Sequence, residues 1–190
     1  PAVYLARAEL LSRIGRHNEA LEDLSKAIGL NPKDAEAYYR RALLQEQLGK
    51  SKEALGDIAR AIEIAPGRAR EYYSKQAEIA ETARDFATAA ASYSKVIESV
   101  PDYPEAYYRR ALCLEKLGQK REAVKDYTAA IELDGRFAAA YLRRGWLHET
   151  AFNGPEKALA DYTAAVRADG DLAEAFQRRG FLRIRLSRRK

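Results

Sequence analysis

The chain has no methionine, one cysteine, one tryptophan and only two histidines among its 190 residues. A single cysteine excludes an internal disulfide framework and suits a reducing compartment, which favours the cytoplasm. His17 and His148 lie far apart in the sequence, in no spacing that suggests a metal pair or an acid–base partnership. No apolar run is long enough to span a membrane, and no segment reads as a signal peptide, a linker or a low-complexity tract. Glycine-rich phosphate loops, nucleophile elbows and paired-carboxylate pockets are missing too. These absences argue against an enzyme, and against a cofactor, a metal or a small-molecule substrate. Without methionine, and running from the start of one repeat to the middle of another, the chain reads as a fragment of a longer one.

What the chain has instead is one pattern many times over. The stretch from Asp34 to Gly67 reads DAEAYYRRALLQEQLGKSKEALGDIARAIEIAPG. With Ala35 as position 1, Tyr38 falls at position 4, Ala42 at 8, Gly49 at 15, Ala54 at 20, Ala61 at 27 and Pro66 at 32. The alanines remove bulk where two antiparallel helices approach closely, the tyrosine fills the space beside them, and the glycine allows a tight turn. Pro66 stops the second helix. Such a unit cannot bury its apolar face alone and must stack on copies of itself.

The copies are present. Residues 1–34, 35–68, 70–103, 104–137 and 138–172 are read as full repeats of a single domain, and 173–190 as a half repeat or capping helix. Ala69 is an extra residue before the third repeat, and one insertion around Asn153-Gly154-Pro155 lengthens the turn of the fifth. The turn of the third repeat is weaker, with Arg84 in the place of glycine. Cys113 stands at position 10, where other repeats carry Leu10, Leu44, Ile79, Leu147 and Leu182, and reads as a small core residue.

This frame of an aromatic at 4, small residues at 8, 20 and 27 and proline at 32 resembles the tetratricopeptide repeat family over the whole chain. The resemblance implies an all-α fold, a right-handed superhelical solenoid of helical hairpins. It implies also that the first helices line a concave groove which holds peptide segments of other proteins. One subfamily grips the carboxyl terminus of chaperones with Lys at 5 and Asn at 9 of one repeat, Asn at 6 of the next, then Lys at 2 and Arg at 6. Leu5, Glu9, Arg40 and Glu71 do not supply that clamp.

Two charged columns run through the repeats. Arginine recurs at position 7 (Arg7, Arg41, Arg110, Arg144 and Arg179) and aspartate at position 23 (Asp23, Asp57, Asp126 and Asp161), and in the third repeat both change together, to Gln76 and Ser92. That joint change predicts a structural ion pair between the two helices of each hairpin. Position 6 carries Arg40, Lys75, Arg109, Arg143 and Arg178, four of them with a glutamate one helical turn earlier. They form either a self-compensated stripe or a set of cations able to take a ligand carboxylate. Arg143 is the favoured candidate, because Ala139 replaces its glutamate.

The groove positions that the resemblance implies are most apolar in the C-terminal half. Tyr108, Arg109, Leu112, Leu142, Arg143 and Trp146 are therefore the candidate peptide contacts, with Tyr39 and Arg40 as a second cluster. Glu46, Glu81, Glu115 and Glu149 add an acidic row at position 12, so an amphipathic or mixed-charge peptide of a protein partner suits the surface. A different class of reading starts from the net charge of +5 and the arginines at the C-terminal end, which could neutralise the phosphates of a nucleic acid. A third is a homo-oligomer formed through a partly bare flank of Phe176, Phe181, Leu182 and Leu186.

Overall fold

A computed structural model describes residues 1–188. Among them are eleven α-helices, one short 3-10 turn and no strand. In chain order the helices are α1 (Ala2–Arg13), α2 (His17–Leu30), α3 (Ala35–Gln47), α4 (Ser51–Ile64), α5 (Ala69–Thr82) and α6 (Phe86–Ser99). They continue with α7 (Pro104–Lys116), α8 (Lys120–Leu133), α9 (Ala138–Thr150), α10 (Pro155–Ala168) and α11 (Ala173–Ser187). The chain divides into two compact units, one of residues 1–99 and one beginning at Val100.

In the N-terminal unit, α1 to α6 form three hairpins in which each helix packs on the next. The residues at the small positions explain the contact. Ala8, Ala20, Ala27, Ala42, Ala54, Ala61, Ala77 and Ala89 are all buried, so the helix backbones can close on one another. Asp34 caps α3 by accepting a 3.1 Å hydrogen bond from the Ala37 amide, and Asp85 does the same for α6 at Thr88. The extra residue before the third hairpin is absorbed by the 3-10 turn Pro66–Arg68. The turn inside that hairpin places Arg84 at φ 60°, where the second hairpin has Gly49 at φ 74°.

The second unit repeats the plan with α7 to α11. Pro104 and Pro155 open α7 and α10, where a missing amide hydrogen costs nothing. Its core is built from Ala111, Ala123, Tyr127, Ala130, Ala140 and Leu147 around α8, and from Leu142, Ala158, Tyr162, Ala165, Ala175 and Leu182 around α10. Cys113 is buried as a core residue.

The predicted ion pair is present in four hairpins. Each arginine makes two hydrogen bonds to one carboxylate: Arg7 to Asp23, Arg41 to Asp57 at 2.7 and 2.8 Å, Arg110 to Asp126 at 2.7 Å twice, and Arg144 to Asp161 at 3.1 and 2.7 Å. In the third hairpin the Ser92 hydroxyl donates to Gln76 at 2.8 Å, a neutral bond at the same place. The Arg7 guanidinium holds the Asp23 carboxyl below the usual carboxylate range.

Candidate functional site

The side chains predicted for the groove lie on the first helices α3, α7 and α9, and the structure treats them unequally. In the second unit, Tyr108 packs its ring 4.8 Å from Phe137 and 5.8 Å from Tyr127, and burial pushes its hydroxyl pKa up. Leu112 and Trp146 are half-buried against the same cluster, each with part of its surface open. Arg109 is half exposed and donates to Glu105 at 2.7 Å.

Two of the sequence-based expectations need correction. Arg143 is not left over for a ligand: its guanidinium makes bonds of 3.1 and 2.7 Å to both oxygens of Glu115 and lies 4.9 Å above the Trp146 ring. The partner comes from position 12 of the preceding first helix, not from one turn back along α9, where Ala139 stands. Burial works against the charge of Arg143, and the Glu115 bonds more than offset it, so its pKa rises. Leu142, expected in the groove, is 7% exposed and packs with Tyr162 and Leu182. It faces the core because α11 covers it.

Glu115 has a third contact, since the Tyr127 hydroxyl donates to it. Burial first, and then this bond to an anion, raise the Tyr127 pKa. The arrangement recurs one repeat later: the Tyr162 hydroxyl donates to Glu149 at 2.8 Å, and Arg185 bonds the same carboxylate at 3.1 Å. Glu115 and Glu149 of the acidic row at position 12 therefore each hold a tyrosine of the second helix and an arginine of the following repeat, whereas Glu46 takes Lys75 at 3.3 Å.

In the N-terminal unit, Tyr39 stacks 5.0 Å from Tyr72, with Arg68 above both rings. Arg40 donates to Glu36 at 2.6 Å and to Glu9 at 2.9 Å, while Glu9 also takes Arg13 at 2.6 Å. These bonds, that from Arg40 foremost, keep Glu9 ionised below its usual range.

Beside that network lies the feature that the sequence reading missed. A cavity of about 220 Å³ opens between α1 and α3, floored by Leu5, Ala8, Leu24, Leu43 and Leu44 and rimmed by Glu9, Ser12, Arg13, Arg40 and Gln47. Leu5 and Leu43 hold groove positions, but they are single leucines beside the richer aromatic content of the C-terminal half. A second hollow of about 360 Å³ has Arg121, Val124, His148, Phe152, Gly154 and Lys157 around it. Burial lowers the pKa of His148 there, and the nearby Asp161 at 3.9 Å only partly opposes it.

The basic C-terminal helix is less free than its composition suggests. Arg178 bonds Glu174 at 2.8 Å, Arg185 bonds Glu149, and Arg179 lies 5.1 Å over the Phe176 ring. Arg183 and Arg188 are exposed, whereas Arg189 and Lys190 lie outside the described residues. The flank considered for self-association is also smaller than expected: Leu182 is 1% exposed and Leu186 packs on the α10 core, leaving Phe176 and Phe181. No group of three or more metal-ligating side chains occurs among the described residues, and no described helix is long and apolar enough to cross a membrane.

Antiparallel helix pairs, small residues at fixed contact positions and a repeated Arg–Asp clasp define a helical-hairpin repeat protein. The chain belongs to the tetratricopeptide repeat family: it matches the description "TPR repeat" over residues 9–49 and "Tetratricopeptide repeat" over 35–68, 74–120 and 104–137. It is 44% identical over 70 residues to a protein SGT1 homolog of Oryza sativa subsp. japonica, a match over 37% of this chain and 19% of that protein. It is 43% identical over 53 residues to Hsp70-Hsp90 organizing protein 2 of Arabidopsis thaliana, over 28% of this chain and 9% of that protein. The chain thus spans less than a fifth of the length of these relatives. Among solved structures it resembles YrrB, described as a TPR protein with an unusual peptide-binding site, with a TM-score of 0.75 at 23% identity over 92% of this chain and 89% of that one. MamA gives a TM-score of 0.76 at 17% identity over 91% and 93% of the two chains. Both likenesses show the fold.

Proposed function

We propose that the chain is a non-catalytic protein-interaction scaffold whose first helices capture a peptide segment of a partner protein. The observation that carries this reading is the cavity between α1 and α3. At about 220 Å³ it is smaller than the usual pocket for a metabolite, and it suits one apolar side chain of a peptide. Its floor is leucine and alanine, and its rim bears Glu9 beside Arg13 and Arg40, so the peptide carries charges of both signs around its anchor. In the second unit, Tyr108, Arg109, Leu112 and Trp146 offer a separate contact surface, in which Arg143 acts by holding Trp146 and Glu115 in place.

Support comes also from the similarity to Hsp70-Hsp90 organizing protein 2 and to YrrB, described as a TPR protein with an unusual peptide-binding site. The chaperone clamp is not part of the proposal, since Leu5 and Glu9 stand where it needs lysine and asparagine. The test is selection from a displayed library of random dodecapeptides, followed by fluorescence anisotropy with the selected peptides. Binders with one leucine or phenylalanine anchor between charges are expected, and Leu43→Glu weakens them at least about tenfold by placing a charge on an apolar floor. Selection of nothing above an unrelated domain, or binding indifferent to both Leu43→Glu and Trp146→Ala, would sink the reading.

A further inference from the structure

The fifth hairpin departs from the frame of the others at two places near its turn. At position 11 it has His148, where the other hairpins carry Leu11, Gln45, Ala80 and Leu114, and at position 15 it has Phe152, where they carry Gly15, Gly49, Arg84 and Gly118. Those last four residues all take a positive φ, between 60° and 79°. The phenylalanine does not. The connection 151–154 is one residue longer than 14–16, 48–50, 83–85 and 117–119, and the left-handed conformation passes to Asn153 at φ 46°, a residue type that tolerates it. The extra residue thus lets an aromatic ring stand where the repeat otherwise turns. Phe152 is 38% exposed and meets the His148 ring edge-on, with centroids 6.2 Å apart.

Both departures line one hollow, the space of about 360 Å³ whose other walls are Arg121 and Val124 of α8, Gly154 of the turn and Lys157 of α10. Its charge is one-sided, for no carboxylate lines it. Arg121 and Lys157 are exposed, and neither has a hydrogen bond or an ion pair among the described residues. Glu122, next to Arg121 in the chain, is taken by Lys125 at 2.9 and 3.0 Å. Asp161 lies 3.9 Å from the imidazole, beyond hydrogen-bond reach, and already holds Arg144 with both oxygens. Two cations without an acid, a ring with an open face and an imidazole therefore surround the same space.

We propose that this hollow binds an aromatic phosphomonoester, either a phosphotyrosine side chain of a partner protein or a free aryl phosphate, with its ring against Phe152 and Val124 and its phosphate on Arg121, Lys157 and His148. The volume lies within the range of ligand pockets, roughly 300–1,000 Å³. A phosphate near its second ionisation answers both cations, whereas a carboxylate would leave one unanswered. Burial first, with Arg144 and Lys157 adding to it and Asp161 opposing, holds the His148 pKa below its ordinary value. Arg121 is the remaining charged group around the hollow. A bound dianion favours the charged imidazole and so raises that pKa; between the free and the bound value, binding takes up a proton. The hollow shares no residue with the cavity between α1 and α3, and the two readings stand or fall separately.

The probe is phenyl phosphate, titrated into the protein while the His148 imidazole is followed by proton–carbon correlation NMR, its signal assigned by its loss in His148→Gln. A saturable shift is expected, together with a higher His148 pKa in the saturated protein than in the free one. Phenyl phosphate binds at least about tenfold more tightly than inorganic phosphate or benzoate. Arg121→Glu and Lys157→Glu, both at exposed positions, each weaken it at least about tenfold with the far-ultraviolet circular dichroism unchanged. Phe152→Ser removes the preference over inorganic phosphate. A short phosphotyrosine peptide that binds more tightly than phenyl phosphate assigns the ligand to a modified partner protein, and one that binds less tightly assigns it to a free aryl phosphate. The proposal is overturned if the His148 signal shows no saturable shift, if inorganic phosphate or benzoate binds as tightly as phenyl phosphate, or if binding survives both charge reversals.

Discussion

Gly145 and Gly180 occupy the same position of successive repeats, and a methyl group tells them apart. Gly145→Ala drives the new Cβ against Tyr162 and Asp161 and is expected to cost about 1–3 kcal/mol, the usual penalty of overpacking. Gly180→Ala meets open space on a helix and is expected to be neutral or to stabilise by up to about 1 kcal/mol. Urea denaturation of the two variants checks this, and equal costs would contradict the packing described. At this scale the sequence was legible wherever a residue answers to its own hairpin. Arg41 and Asp57 declare themselves because Gln76 and Ser92 change together, and Cys113 because leucines replace it. It was not legible where the partner sits in the neighbouring repeat. Arg143 looked free because Ala139 stands one turn before it, yet Glu115 reaches it from 28 residues away.

At the scale of the helix pair, the turns carry the strain. Gly49 adopts φ 74° without cost, whereas Arg84 is held at φ 60° with a Cβ that this region disfavours. Arg84→Gly is expected to raise stability by about 1 kcal/mol, and Gly49→Ala to lower it by a similar amount, both read from thermal or urea unfolding. If Arg84→Gly destabilises instead, the arginine side chain contributes more than its backbone loses. Helix positions and their order followed from the spacing of alanines, aromatics and turn residues, and even Ala69 announced an irregularity. Which elements would frame a cavity did not follow. Leu5 and Leu43 are ordinary leucines in the sequence, and only the separation of α1 and α3 leaves the room between them. Leu142 shows the converse: its frame position implied the groove, and the packing of α10 and α11 took it into the core.

Across the whole molecule, the 33 lysines and arginines outnumber the 28 aspartates and glutamates, yet many of these cations already hold an acid of the chain. Composition alone could not show this, which is why a pI near 9.2 suggested phosphate binding more strongly than the structure does. Glu115, clasped by Arg143 and Tyr127, gives that saturation a consequence for any acidic ligand of the second unit. If a ligand carboxylate takes the Arg143 edge that Glu115 now holds, binding there is an ion-exchange reaction that conserves the number of pairs instead of adding one. Its affinity should be nearly flat between about 50 and 500 mM salt, where a protein neutralising several phosphates loses orders of magnitude. A steep salt slope for a peptide selected against this surface would mean that the ligand recruits unpaired cations such as Arg183 and Arg188, and that the clasp on Glu115 never opens.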